Sequence, residues 1–245
     1  MKPIAFILML ACCVQPPAYA AQQIVFNITS KGLPPYMIKK VGQPDSGIML
    51  DVLQLIADKH NYSVKPVGIP KKREISQLDL GKLDAVPLAM EWVPHPENYA
   101  FTDPVVKARD VLFSLKSSPV QLNDIKELFG KKLGTHLGYH YPTLEDYFNS
   151  NKIQRSDAGT EKEMLGMLIY ERTQGAVLNE LVGQWLIKNN PLWQHQFYIS
   201  KQAINQVDYR IMFNKRWHKF VELFNQELAI MKKDGQLKEI ISRYQ

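Results

Sequence analysis

Apolar and polar positions alternate along the chain in the order typical of a mixed α/β protein. The run QIVFNITS, from Gln23, predicts a buried strand that ends in a turn at Gly32 and Pro34-Pro35. The following segment, SGIMLDVLQLIADKHNY, predicts a helix with Ser46 as its N-cap. Its apolar residues recur at spacings of three and four and form one face: Met49, Val52, Leu53, Ile56 and Ala57.

The same alternation continues through the first half of the chain. SVKPVGI predicts a second strand, and REISQLDLGKLDAVPLA predicts a helix that stops at Gly81 and is followed by a third strand. An order of strand, helix, strand, helix, strand favours a mostly parallel sheet with helices on its faces.

A second unit of the same kind begins after DVLFSLKSSPV. Its predicted elements are a strand at GKKLGTHL, helices at YPTLEDYF and EKEMLGMLIYER, a strand at GAVLNE and a helix at LVGQWLIKN. Extended segments at residues 109–115 and 208–214 flank this unit, and we expect them to form a hinge. The tail from Arg216 predicts two packed helices that are broken at Asp234 and Gly235.

The first twenty residues, MKPIAFILMLACCVQPPAYA, have the pattern of a secretory signal peptide. Lys2 precedes a short apolar run, and small residues follow, so we expect cleavage after Ala20 and a periplasmic product. Lipid attachment at Cys12 is the alternative. Cleavage after Ala20 removes both Cys12 and Cys13, which excludes disulfides, thiolate metal sites and a cysteine nucleophile from the mature chain.

The composition of the whole chain is that of an ordinary globular protein, with 45% hydrophobic and 22% charged residues. Loss of Lys2 lowers the formal net charge from +6 to +5. Basic residues are scattered except at Lys71-Lys72-Arg73 and Lys215-Arg216, and this distribution argues against a nucleic-acid-binding surface. No later apolar run is long enough to span a membrane.

The order of these segments resembles the bacterial extracellular solute-binding proteins of the polar amino acid type, family 3. The resemblance covers the mature chain and rests on LPPYMI, SGIMLDVLQLIADK, LDLGKLDAVP, FTDPV, GKKLGTHLG, GAVLNE, DYRIMFNK and LAIMKKDGQLKEIISRY. It implies an α/β, two-lobed periplasmic binding protein fold of type II. Each lobe would be a mostly parallel sheet flanked by helices, and two crossing hinge strands would join the lobes.

The resemblance also implies a domain division and a function. Lobe 1 would comprise residues 22–112 plus 208–245, and lobe 2 residues 113–207. A small polar solute would bind in the cleft between the lobes without a cofactor. The expected protein is a monomer that serves an inner-membrane ABC permease or a sensor.

The stretch AMEWVPHPENYAFTDPV departs from the family pattern. In amino acid binders of this family an arginine before the Phe-Ser/Thr-Asp-Pro turn holds the α-carboxylate of the ligand by two parallel hydrogen bonds. Counting back from Phe101 places His95 at this position, and counting forward from Asp84 places Pro96 there. Either the solute is not a free α-amino acid, or another cation replaces the arginine. Arg73 is the candidate substitute; the alternative is a solvated run of charges at the start of a helix.

Other candidate ligand contacts come from the same resemblance and, for the aromatic residues, from their residue type. Glu180 matches the acidic residue that holds the ammonium group of the ligand, and Asn179 is its polar neighbour. Glu91 either meets a cationic group of the solute or pairs with Arg73. Aromatic side chains that could form walls of the cleft are Tyr36, Trp92, Tyr139 and Tyr141.

The pair His136 and His140 has a spacing that would suit a metal on a helix. Gly138 lies between them and no third ligand is near, so we expect no metal site.

Three functions remain open at this stage. The first is a non-catalytic binding protein. The second is an enzyme similar to the cyclohexadienyl dehydratases, with Glu91 or Glu180 as a buried acid. The third is an adaptor with a degenerate, empty cleft.

Overall fold

The computed structural model describes residues 22–245. The expected signal peptide, Cys12 and Cys13 lie outside this range. None of the helices within residues 22–245 has both the length and the apolarity that a membrane span requires.

Nine strands and seven helices alternate along the described part of the chain. The first elements are β1 (Gln22–Asn27), α1 (Ile48–Lys59), β2 (Tyr62–Val67), α2 (Lys71–Asp79), β3 (Ala85–Ala89), β4 (Tyr99–Phe101) and β5 (Val106–Leu115). The middle elements are β6 (Lys132–His136), α3 (Glu145–Asn149), β7 (Gln154–Ala158), α4 (Glu161–Ile169), β8 (Gly175–Asn179) and α5 (Glu180–Lys188). The last are β9 (Phe197–Asn214), α6 (His218–Asp234) and α7 (Gln236–Ser242).

The strands form a continuous sheet whose two ends are parallel and whose centre is antiparallel. Its order is β2-β1-β3-β9-β5-β8-β6-β7, with β4 paired to β9. Strand β1 is parallel to β2 and β3, and β6 is parallel to β7 and β8. The long strands β5 and β9 pair antiparallel and connect the two parallel parts. They include both segments that the sequence predicted as a hinge.

Buried side chains separate into groups on either side of the β5–β9 pair. The largest group is contributed mainly by β1, α1, β3, α6 and the second half of β9. Two smaller groups come from residues between 111 and 204. We use lobe 1 for β1–β4, α1, α2, α6 and α7, and lobe 2 for β6–β8 and α3–α5. The exact boundaries given above stay a prediction.

The start of helix α1 differs from the expectation. The five predicted apolar residues of α1 are buried, but Ser46 does not cap it; its backbone pairs with that of Ile38. Gly47 precedes the helix with φ 128°, and a Cβ there would lie 2.6 Å from the carbonyl oxygen of Tyr36. Only glycine permits this approach. The first N–H groups of α1 then donate to the carbonyls of Pro35 and Tyr36, at 3.0 Å each, which fixes Tyr36 beside the helix start.

Candidate functional site

Four of the candidate residues lie at the carboxyl ends of strands β3 and β8. Strand β3 ends at Ala89 and continues into a short turn that carries Glu91 and Trp92. Strand β8 ends at Asn179, and Glu180 begins α5. In open α/β sheets the carboxyl ends of the strands are the usual place for a ligand.

A hydrogen bond joins the lobes at this point. The hydroxyl of Tyr36 donates to Oδ1 of Asn179 over 2.8 Å. The same oxygen accepts from the backbone N–H of Val182 at 3.3 Å, so Asn179 also caps helix α5. Tyr36 is 2% exposed, and its burial raises the pKa of its hydroxyl above the ordinary value. Two of the predicted site residues are therefore in direct contact.

Glu180 is held by an arginine that the sequence analysis did not name as a candidate. Nη1 of Arg109, in the hinge strand β5, donates to Oε2 of Glu180 over 2.6 Å. Nη2 of Arg109 donates to the carbonyl of Lys201 over 2.6 Å. Both side chains of the ion pair are less than one third exposed. The charge of Glu180 is thus compensated within the protein.

Tyr36, Tyr209 and Trp92 form an aromatic group. The ring of Tyr209 lies edge-on to that of Tyr36, with centroids 5.1 Å apart, and 6.1 Å from that of Trp92. Nζ of Lys71 lies 5.2 Å from the centre of the Trp92 ring. Trp92 is half exposed, so it forms the outer part of this aromatic group. Tyr209 was not among the predicted wall residues.

The predicted aromatic residues of lobe 2 have different surroundings. Tyr139 is half exposed, and its ring stacks on that of His136 with centroids 4.0 Å apart. Tyr141 packs in the core of lobe 2, where its hydroxyl accepts from the backbone N–H of His136 at 2.9 Å. Burial raises the pKa of Tyr141 to about 12. Of these two predicted residues, Tyr139 is the one with an accessible ring.

His136 and His140, the pair whose spacing was considered for a metal, contact separate carboxylates. His136 lies 3.9 Å from Glu161, and His140 lies 3.1 Å from Glu145.

The position that aligns with the family arginine lies on an exposed turn. His95 has φ 55° and a side chain that is 77% exposed, and its Nδ1 lies 3.2 Å from Glu97. Pro96 begins the next short turn of helix. Neither residue supplies a fixed cation to the junction of the lobes.

The other two predicted charged contacts, Arg73 and Glu91, are exposed. Among residues 22–245 the structure shows no ion pair for either of them, so the expected alternative of an Arg73–Glu91 pair is not formed. Arg73 lies in the first turn of α2. Its role, like that of the other proposed contacts, stays a prediction.

Two carboxyl groups near the junction escaped the sequence analysis. Glu74 is 4% exposed; burial raises its pKa, and Lys71 and a hydrogen bond from Asn27 partly offset this. Asp110 lies in β5, where burial raises its pKa and a hydrogen bond with Asn205 partly offsets the rise. A signal was available for Asp110, because it is a charged residue inside a predicted hinge strand.

A separate surface cavity of about 610 Å³ opens beside the lobe 2 end of the hinge. It is lined by Gln121, Leu122, Asn123, Tyr198, Lys201 and Gln202. None of the predicted site residues line it.

Comparisons with solved structures place this fold among two-lobed binding proteins. An ancestral cationic amino acid solute-binding protein has a TM-score of 0.74 and 16% identity, over 91% of this chain and 95% of that chain. The open form of substrate-binding domain 2 of Lactococcus lactis GlnP has a TM-score of 0.74 and 18% identity, over 94% and 97%. A histidine kinase sensor domain with similarity to periplasmic binding proteins has a TM-score of 0.68 and 20% identity, over 92% and 96%.

These structures confirm the predicted type II periplasmic binding protein fold. A comparison with curated protein sequences finds no match. The sequence profile of the bacterial extracellular solute-binding proteins, family 3, matches residues 27–245. The resemblance inferred from the sequence is thereby confirmed, and the chain belongs to the bacterial extracellular solute-binding proteins, family 3.

Proposed function

We propose that this protein captures a small polar solute between its lobes, in the periplasm, and delivers it as a monomer to an inner-membrane ABC-type importer. The observation that carries this proposal is the Tyr36–Asn179 hydrogen bond of 2.8 Å, which links lobe 1 to lobe 2. Asn179 lies next in sequence to Glu180, the residue that the family resemblance matches to a ligand contact. A contact of this kind couples the relative position of the lobes to whatever occupies the space beside it.

Several properties of the junction support solute binding. Asn179, Tyr139 and the aromatic group around Tyr36 offer polar atoms and flat apolar surfaces on both sides. Such a combination is typical of sites for small organic ligands. Membership in the family and the likeness to a transporter's substrate-binding domain favour delivery to an importer.

A sensor is the second candidate partner. The likeness to the sensor domain of a histidine kinase favours this possibility, because the same fold there belongs to a signalling protein. Solute capture in the cleft would be common to both functions. Growth on the identified solute and transcription of solute-dependent genes, each measured in a deletion strain, separate the two roles.

We propose that the site is not catalytic. The dehydratase hypothesis requires a buried and unpaired acid at Glu91 or Glu180. Glu91 is exposed, and Glu180 is paired with Arg109, so neither has that environment. Incubation with prephenate or arogenate should give no aromatic product.

The proposal is tested by a thermal-shift screen of amino acids, polyamines, organic acids and small sugars. A solute at one hundred times its Kd should stabilise the native state by about 2.7 kcal/mol. Asn179→Ala should reduce the shift, whereas Tyr99→Phe, which removes a tyrosine hydroxyl from an exposed contact with Asp79 in lobe 1, should not. If no solute in any class produces a shift, the cleft is degenerate and the adaptor function replaces this one.

A further inference from the structure

Asp110 occupies the point where the hinge strands meet the lobe junction. In the sheet it lies directly opposite Asn179 of β8 on one side and Asn205 of β9 on the other. Side chains of directly opposite residues in antiparallel strands lie on the same face of the sheet. Asp110 therefore lies beside Asn179, whose amide oxygen accepts the hydroxyl of Tyr36 from lobe 1.

The carboxyl group of Asp110 has no counter-ion. Among residues 22–245 no lysine, arginine or histidine forms an ion pair with it. Glu180, the family's usual ammonium contact, differs because Arg109 already neutralises it. Glu180 is therefore neutralised by Arg109 of the hinge strand β5, whereas the carboxyl group of Asp110 can still pair with a cation.

A second, independent feature of the same place is the hydroxyl of Tyr209. Tyr209 is 5% exposed, and within residues 22–245 its hydroxyl makes no hydrogen bond. Burial raises the pKa of this hydroxyl, and its nearness to the ionisable groups of Tyr36, Glu74 and Tyr139 adds to the rise. The hydroxyl of Tyr209 therefore lies near Tyr36 of lobe 1 and Tyr139 of lobe 2. Because the described residues supply no partner, this hydroxyl is available to a polar atom of a ligand.

Two cations near the junction, Arg109 and Lys71, have contacts within the protein. The two terminal nitrogens of Arg109 donate to Glu180 and to the carbonyl of Lys201. Lys71 lies over the ring of Trp92, and its charge partly offsets the rise that burial causes in the pKa of Glu74. A carboxylate placed beside Asp110 would be repelled by it, and the guanidinium of Arg109, the preceding residue of β5, is already bound to Glu180. Aromatic faces and a carboxylate are instead the groups that recognise organic cations.

We propose that the solute is an organic cation without a carboxylate, such as a primary or quaternary amine, with Asp110 as its counter-ion and Tyr36, Tyr139 and Tyr209 around it. This inference rests on the proposed function and names the chemical class that the same cleft selects. The missing family arginine then reflects the absence of a carboxylate on the solute.

Matched amines and amino acids that differ only by the carboxylate test this inference. Calorimetric titrations compare agmatine with arginine, tyramine with tyrosine, histamine with histidine, and cadaverine with lysine. We expect at least one amine to bind ten-fold or more tightly than its amino acid, because the amino acid brings an unpaired carboxylate next to Asp110. Amino acids that bind as tightly as their amines in every pair, or amines that do not bind at all, would overturn the inference.

Variants test whether Asp110 is the residue that pairs with the bound amine. Asp110→Asn should weaken the best-binding amine ten-fold or more, whereas Asp58→Asn, an equal change of charge on an exposed part of α1, should leave its affinity unchanged. Where Asp110→Asn fails to fold, Tyr139→Leu serves the same purpose and should weaken binding several-fold. Unchanged affinity in the folded variant contradicts the inference.

The inference and the proposed function can fail separately. A neutral or zwitterionic solute whose binding is weakened by Asn179→Ala would overturn the inference but leave the proposed function standing. If no solute binds, both the inference and the proposed function are wrong.

Discussion

The hydroxyl of Tyr36 and the side-chain oxygen of Asn179 are 2.8 Å apart, although 143 positions separate the two residues in the sequence. The contact joins a loop of lobe 1 to the start of helix α5 in lobe 2. The distance between these two atoms therefore reports how closely the lobes approach each other. We expect its removal to loosen the lobes without unfolding either one.

Tyr36→Phe should shift the protein toward separated lobes. The change keeps the edge-on ring contact with Tyr209 but removes a hydrogen bond, which contributes about 0.5–1.5 kcal/mol, or about a two- to ten-fold change in the equilibrium between joined and separated lobes. Distances between spin labels on the two lobes measure this shift. Tyr99→Phe is the control, since its hydroxyl bonds within lobe 1; an identical distribution in both variants would contradict the role of Tyr36.

Asp84 should be important for the stability of lobe 1. Its buried carboxylate accepts from the backbone N–H of Val25 at 2.9 Å and from Nε1 of Trp217 at 2.8 Å, and it pairs with Arg216. Asp84→Asn should lower the free energy of unfolding by about 2–4 kcal/mol, because an amide cannot satisfy all three donors. Urea denaturation measures the change. Asp58→Asn should stay within about 0.5 kcal/mol of the parent; an equal effect of both would refute the explanation.

Two helical glycines should respond in opposite directions to alanine. A Cβ at Gly183 in α5 would overlap the buried ring of Phe113, so Gly183→Ala should destabilise the protein by about 1–3 kcal/mol. A Cβ at Gly166 in α4 would have no neighbour within 4 Å, so Gly166→Ala should stabilise it by about 0.5–1 kcal/mol. Thermal unfolding compares them, and a shift of the same sign in both would be the contrary result.

The stability difference between the parent and Asp110→Asn should depend on pH. Burial raises the pKa of Asp110, so the folded state holds this proton at pH values where the unfolded state has lost it. As pH rises from about 3.9 through the folded pKa, the parent loses stability that the variant does not lose. The tyrosines that face the carboxyl group, Tyr36, Tyr139 and Tyr141, all have raised pKa values and stay neutral in this window.

Denaturation curves of the ligand-free proteins at several pH values measure the difference. Asp58→Asn provides the matched charge control. A difference that is constant with pH, or that changes in favour of the parent as pH rises, would show that Asp110 is not the buried carboxyl described here.

The hydrophobic pattern was sufficient for the elements whose apolar residues repeat regularly. Helix α1 and the two C-terminal helices, which separate at Gly235 with φ 89°, follow directly from their periodicity and from the need for a left-handed residue at the break. Strand β7, QRSDA, was not predicted because it has almost no apolar residues and is held as an edge strand by pairing with β6. Ser46 was wrongly taken as a cap because the close approach of Tyr36 to Gly47 is a tertiary contact.

Only some contacts of the candidate site could be predicted from the sequence. Reasoning from the sequence pointed to Tyr36 as an aromatic wall and, through the family resemblance, to Asn179 and Glu180. Tyr36 and Asn179 meet, and Glu180 lies at the junction. The same reasoning could not show that Arg109 forms an ion pair with Glu180. That pair joins residues 71 positions apart and depends on how the hinge strand β5 passes α5. The position of Asp110 opposite Asn179 also depends on how β5 pairs with β8, which the sequence alone does not show.

The most direct test of the account is a calorimetric titration of the parent protein and of Asn179→Ala with the solute that raises the Tm most. The account predicts one solute bound per chain in the parent and an affinity at least ten-fold lower in the variant, whose fold is checked by circular dichroism. Equal affinity in the two proteins would place the solute outside the junction of the lobes and contradict the account.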